Sequence, residues 1–343
     1  MRWGFVGTGT IATWMAGVVG ATPAARLCAV ASRRTATAQA FAAEHGAERA
    51  FNSWKEMLAW DGIDAVYVAT PTSLREEISI ASANAGRHVL GEKPFASLPS
   101  LKRITGACRE NGVAFMDATH FVHHPRYAAI RQGAAEMIGR PRSLDSCFLI
   151  SLTDRSDIRY NPELEPLGAI GDLGWYNIRA TLEYAASGLR LCEASARLQR
   201  DGTTGAVIAG EGSLTFDDGS ASSWRCSFDA ASADIGLKLT GPRGILSMDN
   251  FIGEDEDHSA IYHYARSNEP GNAATSVRIA SQRSAPTLMF EDFAAAARDA
   301  CLREHWAQAS ERTQALLDAV LAAEKTWPRR PTDKCVMLRP CKK

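Results

Sequence analysis

The stretch Gly7-Thr8-Gly9-Thr10-Ile11-Ala12 constrains the fold of this chain more than any other, because of what flanks it. A short apolar run, Trp3 to Gly7, leads into it, and an amphipathic segment from Ile11 to Val19 follows. A strand that breaks into a glycine turn and re-forms at once as a helix is the G-x-G-x-x-A arrangement of dinucleotide sites. In that arrangement Gly7 permits the tight turn, Gly9 lets a pyrophosphate approach the backbone, and Ala12 allows close helix–strand packing. Thr8, Thr10 and Ile11 complete a phosphate loop whose amides sit at the start of a helix.

The same alternation continues along the chain. Leu27 to Ala31 is an apolar run, Thr35 to His45 has helical spacing, and Ser53 to Trp60 reads as a short helix. Ala65 to Ala69 is a buried-type strand ending in Thr70-Pro71, Leu74 to Ala85 a helix closed by Gly86, and Val89 to Gly91 another strand. A helix from Leu98 to Glu110, closed by Asn111-Gly112, precedes a last strand at Val113 to Met116. Strands alternating with helices predict a doubly wound parallel sheet, so residues 1–119 are expected to form an NAD(P)-binding Rossmann domain. Its second strand ends in Ser32-Arg33-Arg34, where an NAD-specific site carries an acidic residue for the ribose 2'-hydroxyl. A hydroxyl and two guanidinium groups suit a 2'-phosphate instead, which predicts NADP(H) over NAD(H). The structural alternative is a solvated basic turn.

An isolated Glu-Lys-Pro is more often a surface ion pair followed by a loop proline. Here Glu92-Lys93-Pro94 directly follows the buried Val89 strand. Ligands of open α/β sheets sit beyond the carboxyl ends of their strands, which makes Lys93 an active-site cation at the nicotinamide end.

After Asp117 the pattern changes, and residues 120–343 are expected to form an α+β domain with a large, mostly antiparallel open sheet. His120, His123 and His124 cluster at the crossover, but their spacing has no acidic or cysteine partner nearby. A cleft-wall or substrate-contacting role is expected for them, and no metal. Strand-like runs follow at Ser143–Leu152, Glu193–Gln199, Val207–Phe216, Ser222–Phe228, Ile235–Leu239, Ile245–Asp249 and Thr275–Ala280. Leu288–Cys301 and Ala307–Glu324 have helical periodicity, and Val336–Leu338 would add a short edge strand. Gly171-Asp172-Leu173-Gly174-Trp175-Tyr176 opens a helix, and by residue type alone Asp172 reads as a cap and Tyr176 as a core aromatic.

Composition excludes some partners. Thirty-eight Lys and Arg against 39 Asp and Glu leave a formal charge of -1, which argues against nucleic acid or an anionic membrane. The eight cysteines are scattered, as free thiols in a reducing compartment would be. Met1-Arg2 leads straight into the first apolar run, so no signal peptide is expected, and no apolar stretch is long enough to span a bilayer. A cytoplasmic location follows as the expectation.

The ordered set Gly7-Thr8-Gly9-Thr10-Ile11-Ala12, Ala31-Ser32-Arg33, Thr70-Pro71, Gly91-Glu92-Lys93-Pro94 and Gly171 to Tyr176 resembles the glucose-fructose oxidoreductase / inositol dehydrogenase / MocA family. The resemblance implies an N-terminal Rossmann domain, a C-terminal sheet through which a homo-oligomer forms, and hydride exchange between NAD(P) and a sugar, polyol or dihydrodiol-type small molecule. It implies that Lys93 lies between nicotinamide and substrate, with Thr70, Pro71 and Glu92 also at the cofactor. Many members have His where Tyr176 stands; tyrosine there resembles the dihydrodiol and xylose dehydrogenase branch. Arg75 departs from the pattern, since the family often has His at that place.

Reduction of a carbonyl builds negative charge on oxygen, so the site needs a proton donor and a cation. The expectation is Tyr176 as general acid/base, its phenol drawn toward working pH by a nearby ammonium. Lys93 would stabilise the alkoxide, Asp172 would bind a hydroxyl or Lys93, and Glu92 would fix the loop. His120, His123, Arg159 and Trp175 are expected at the substrate. An NAD-assisted glycoside hydrolase and a non-catalytic cofactor-binding regulator are the other classes this fold carries; the intact Lys93 and its polar neighbours place the oxidoreductase ahead.

Overall fold

The apolar runs of the first third pair side by side as parallel strands. In the computed structural model, which describes residues 1–267 and 274–324, these are β1 (Arg2–Val6), β2 (Arg26–Ala31), β3 (Arg49–Phe51), β4 (Ala65–Val68), β5 (His88–Gly91) and β6 (Phe115–Asp117). They form one sheet in the order β3-β2-β1-β4-β5-β6, parallel throughout. The connections run through α1 (Thr10–Ala21), α2 (Thr35–His45), α3 (Trp54–Leu58), α4 (Thr72–Asn84) and α5 (Leu98–Glu110). The strand order reverses between β1 and β4, so a crevice opens at their carboxyl ends. Gly7 follows β1, Thr70 follows β4 and Lys93 follows β5, which brings three separate sequence signals to one rim. β3 is the strand with no apolar run to announce it; pairing with β2 at the sheet edge makes it a strand.

Beyond α6 (Pro125–Ile138) the chain builds a second sheet from β7 (Ser143–Ser151), β8 (Leu191–Arg200), β9 (Val207–Phe216), β10 (Ala221–Ser227), β11 (Asp229–Asp234), β12 (Leu237–Gly241), β13 (Gly244–Met248), β14 (Ala260–Arg266) and β15 (Thr275–Ile279). The order is β15-β14-β13-β12-β7-β10-β9-β8, with β11 on β7. The sheet is not a pure antiparallel meander, because β7 and β10 pair in parallel. β11 and β14 were not legible as apolar runs; β11 is largely exposed.

α7 (Trp175–Tyr184) lies buried over this sheet, where Asn177 donates to Ser146 Oγ at 2.9 Å and Thr181 Oγ1 meets Ser222 Oγ at 2.7 Å. Its other side meets the first sheet through a buried pair, Arg179 and Asp117 at the end of β6. Ser310 also donates to Asp117, at 2.5 Å. α8 (Ala285–Ala296) and α9 (Ala300–Ala323) return to the first sheet. Phe290 meets Trp3 edge-on at 4.9 Å, and the backbone amides of Phe95 and Leu98 donate to Gln314 and Asp318 of α9. The expected helix from Leu288 to Cys301 is interrupted: Asp299 accepts from the amides of Cys301 and Leu302 and starts α9 at Ala300, ahead of the expected Ala307. No helix among the described residues is long and apolar enough to cross a membrane, and the expected edge strand at Val336–Leu338 lies outside them.

Candidate active site

The turn after β1 has the geometry its glycines predict. Gly7 has φ +116°, and a Cβ there would stand 2.5 Å from the Ala69 carbonyl oxygen, so only glycine fits beside the end of β4. A Cβ on Gly9 would meet nothing within 4 Å. Gly9 thus leaves open space at the N-terminus of α1, the room a pyrophosphate needs to reach the first helical amides. Ala12 is fully buried, and Thr8 donates to Ser32 Oγ at 3.4 Å, which links the phosphate turn to the end of β2. Arg33 and Arg34 are exposed and form no ion pair among the described residues.

At the end of β5 the chain enters a buried loop. The Glu92 carboxylate accepts from the Tyr67 hydroxyl at 2.5 Å, and burial pushes this carboxyl up while the Lys93 ammonium opposes the shift. Arg75, on α4, donates to the carbonyls of Thr70 at 2.9 Å and Pro94 at 2.5 Å, and to Thr72 Oγ1 at 2.8 Å. Glu165 accepts from the Thr72 amide and hydroxyl, at 3.1 and 2.5 Å, and lies 3.7 Å from the Arg75 guanidinium. Arg75 therefore ties the rims of β4 and β5 together.

The loop meets the π-helical turn Ile170–Gly174 from the second half of the chain. A Cβ on Gly171 would stand 2.6 Å from Pro94 Cγ, so the missing side chain lets the two segments touch. Lys93 Nζ then donates to Asp172 Oδ1 at 2.6 Å and to the Asp172 carbonyl at 2.9 Å. Of the three ammonium hydrogens, this leaves one. Nζ also lies 4.9 Å from the centroid of the Tyr176 ring. Arg159 Nε donates to the other Asp172 oxygen at 2.6 Å, and its Nη1 to Asp157 at 3.2 Å. Burial works against ionised Asp172, but Lys93 and Arg159 outweigh it and hold the carboxyl well below the usual range.

Tyr176 overturns one expectation. Its phenol moves away from working pH: burial pushes it well above its ordinary value, and the carboxylates of Glu92 and Asp172 push the same way. Lys93 faces the ring rather than the hydroxyl, and its charge is already compensated by Asp172. The Tyr176 hydroxyl has no hydrogen-bond partner among the described residues, so it is available to a bound molecule.

A cavity of about 300 Å³ brings together Lys93, Asp172, Tyr176, Arg159, Glu92, Thr70 and His120 of the expected residues, together with Ile11 from the phosphate turn. His120 stands 5.9 Å from Tyr176, ring to ring, and burial lowers it to about 3. Two expected substrate contacts stand elsewhere. Trp175 is fully buried, donates to Thr119 Oγ1 at 2.7 Å and packs on Phe95. His123 binds Asp292 at 2.6 Å and stacks on Trp306 at 4.6 Å, because the helical turn His120–His123 points it toward α8 and α9. His124 turns away as well, to the His258 carbonyl at 2.8 Å. Trp14, Ile158 and Glu165 line the cavity without having been singled out from sequence. Trp14 had a signal, since it falls off the buried stripe Ala12, Met15, Ala16, Val19 of α1.

The chain resembles known proteins in both sequence and fold. Residues 1–119 match the Gfo/Idh/MocA model of an oxidoreductase family with an NAD-binding Rossmann fold. A dTDP-3,4-didehydro-2,6-dideoxy-alpha-D-glucose 3-reductase from Actinomadura kijaniata is 30% identical over 302 residues, 88% of each chain. A D-xylose 1-dehydrogenase (NADP(+)) from Haloferax volcanii is 33% identical, over 67% of this chain and 70% of its own. The crystal structure of a 3-ketoreductase from Actinomadura kijaniata with NADP and TDP-benzene superposes with a TM-score of 0.86 at 27% identity, covering 94% of this chain and 97% of the other. Fingerprint, fold and a relative matched along most of both chains lead to one conclusion: this protein belongs to the Gfo/Idh/MocA family and is an NAD(P)-dependent oxidoreductase.

Proposed function

We propose that the protein is an NADP(H)-dependent reductase or dehydrogenase acting on a carbonyl or hydroxyl of a sugar, polyol or related diol, with its chemistry at Lys93, Asp172 and Tyr176. The observation that carries this reading is the convergence, in one cavity at the carboxyl end of β5, of an ammonium with one free N–H and a phenol without a partner. Nicotinamide, when bound, supplies or accepts the hydride. Gly7, Thr8, Gly9, Thr10 and Ile11 hold the phosphates, Ser32, Arg33 and Arg34 receive a 2'-phosphate, and Thr70, Pro71 and Glu92 border the nicotinamide end.

Lys93 donates its remaining N–H to the substrate oxygen and stabilises the negative charge that develops there. Asp172, clamped between Lys93 and Arg159, fixes where that N–H points. Tyr176 gives the oxygen its proton. A phenol raised by burial is still a far stronger acid than an alcohol, so donation to an alkoxide is favourable, while proton abstraction from an alcohol is harder. Carbonyl reduction is therefore the better-served direction. The same reading carries a homo-oligomer through the bare face of the second sheet, where Ser223, Arg225 and Lys238 alternate with buried neighbours; light scattering checks it.

The test is NADPH and NADH oxidation followed at 25 °C across a panel of keto-sugars, aldoses and diketones. NADPH consumption with at least one of them, and a lower kcat/KM with NADH, is expected. Binding of NADPH with no turnover across the panel would sink the proposal.

A further inference from the structure

The charges around the cavity are all committed. Its cations are Arg75, Lys93 and Arg159, and its carboxylates Glu92, Glu165 and Asp172. Arg75 stands against Glu165, Lys93 against Asp172, and Arg159 against Asp172 and Asp157, which lies just behind it. Three cations against three carboxylates leave no surplus positive charge, and Asp157 tips the balance to the negative side. His120 adds no charge, being neutral at working pH. A diphosphate brought here would lose water without gaining a free cation, and would sit beside carboxylates already in place.

The outer wall has a different character. Of the five large hydrophobic side chains exposed among the described residues, Trp14 at 48% and Ile158 at 45% both border this one cavity. Phe148 and Ile150 of β7 continue the apolar wall between the two halves of the chain. Trp14 stands edge-on to His120 at 5.6 Å, so the indole reaches from the surface toward Tyr176. Exposed aromatic and aliphatic surface at the mouth of a polar site is surface that a ligand's apolar part can cover.

We propose that the substrate is an uncharged sugar- or polyol-type carbonyl compound bearing an apolar aryl or alkyl substituent, and not a nucleotide-diphosphate sugar: the hydroxyl-bearing end meets Lys93 and Asp172, and the substituent lies against Trp14 and Ile158. This rests on the assignment of Lys93 and Tyr176 as the reaction end. It separates the chain from its relative in Actinomadura kijaniata, whose name specifies a dTDP-linked sugar.

The experiment is calorimetry on the full-length NADP-loaded protein with three probes: xylose, benzyl xyloside and thymidine diphosphate. Benzyl xyloside should bind about tenfold more tightly than xylose, the gain from covering one small aromatic group, and thymidine diphosphate should fail to bind at about 1 mM. Trp14→Ala and Ile158→Ala, both at exposed positions, should each reduce the benzyl advantage without changing the affinity for xylose by more than about twofold. Thymidine diphosphate binding at about 1 mM or tighter, or a benzyl group that brings no gain, overturns the inference. A failure of hydride transfer with every compound tested would instead strike the proposed reaction, and the binding comparison would still decide this one.

Discussion

Two groups of cations flank the β1/β4 switch point, and the fold handles them in opposite ways. At the end of β2, Arg33 and Arg34 stand exposed with no ion pair among the described residues. Beyond β5, Lys93, Arg75 and Arg159 are each gripped by a carboxylate. A free guanidinium can neutralise an arriving phosphate, and its contribution is affinity. A paired ammonium has little net charge left to offer, and what it supplies is a hydrogen in a fixed place, which matters where charge appears only during reaction. On the proposed function, the first end holds the cofactor and the second acts on the substrate.

The sharpest way to break that comparison is Lys93→Met. Losing the oriented donor should lower kcat/KM for carbonyl reduction by about 10³-fold, while the dissociation constant for NADPH, read by fluorescence titration, moves less than about threefold. A variant that lost cofactor affinity as much as rate would show that Lys93 belongs to the holding end. Tyr176→Phe should follow with a fall in kcat of about 10²-fold and little change in KM, since its hydroxyl is a partner only to the reacting oxygen. Normal turnover by this variant would leave Lys93 as the proton donor.

The fold around the proposed cofactor end was legible in the sequence, whereas the contacts that bring Lys93, Asp172 and Tyr176 together were not, for a physical reason. The fingerprint, its strand and helix, and Ser32-Arg33-Arg34 lie within one β-α-β unit, where local propensity and spacing carry the information. Lys93 and Asp172 are 79 residues apart, and what joins them is the absent side chain of Gly171 against Pro94. Resemblance to a family named Tyr176, but its environment could not be read: an ammonium nearby suggested a lowered phenol, and burial beside two carboxylates reversed the sign. Trp175 and His123 were placed at the substrate for their residue types, and the direction of a helical turn sent both elsewhere. The parallel β7–β10 pairing and the exposed β11 come from tertiary contacts that no periodicity records.

A smaller effect tests the holding end by itself. The double substitution Arg33→Ser with Arg34→Ser removes two charge-assisted donors, and should weaken NADPH by about 30-fold. NADH, which lacks the 2'-phosphate, should change by less than about threefold. Equal losses for both cofactors would reduce Ser32-Arg33-Arg34 to a solvated turn. The variant should keep its kcat at saturating NADPH, because neither residue lines the reaction cavity.

The smallest expected effect is the response of rate to pH, and it separates activity from stability. Asp172 stays ionised to below the ordinary carboxylate range, His120 stays neutral down to about 3, and Tyr176 keeps its proton beyond the ordinary phenol range. None of these three changes state between about pH 5 and pH 9, so kcat at saturating substrate should vary less than about twofold across that interval. Stability should not be flat. His88, His120, His124 and His305 are all lowered by burial. In the unfolded chain each takes up a proton near about pH 6.5, whereas in the folded protein each resists it, so the unfolded state binds more protons as pH falls. Acidification below the ordinary histidine range therefore favours unfolding, and Tm should drop by about 4 °C between pH 7 and pH 5. Asp172 works at lower pH: its stabilisation is complete above the unfolded carboxylate value and is lost as pH falls through its depressed folded one. Initial rates and thermal melts on the same samples check both parts. A bell-shaped rate profile centred near neutrality, at temperatures where the protein stays folded, would mean that a histidine rather than Tyr176 moves the proton.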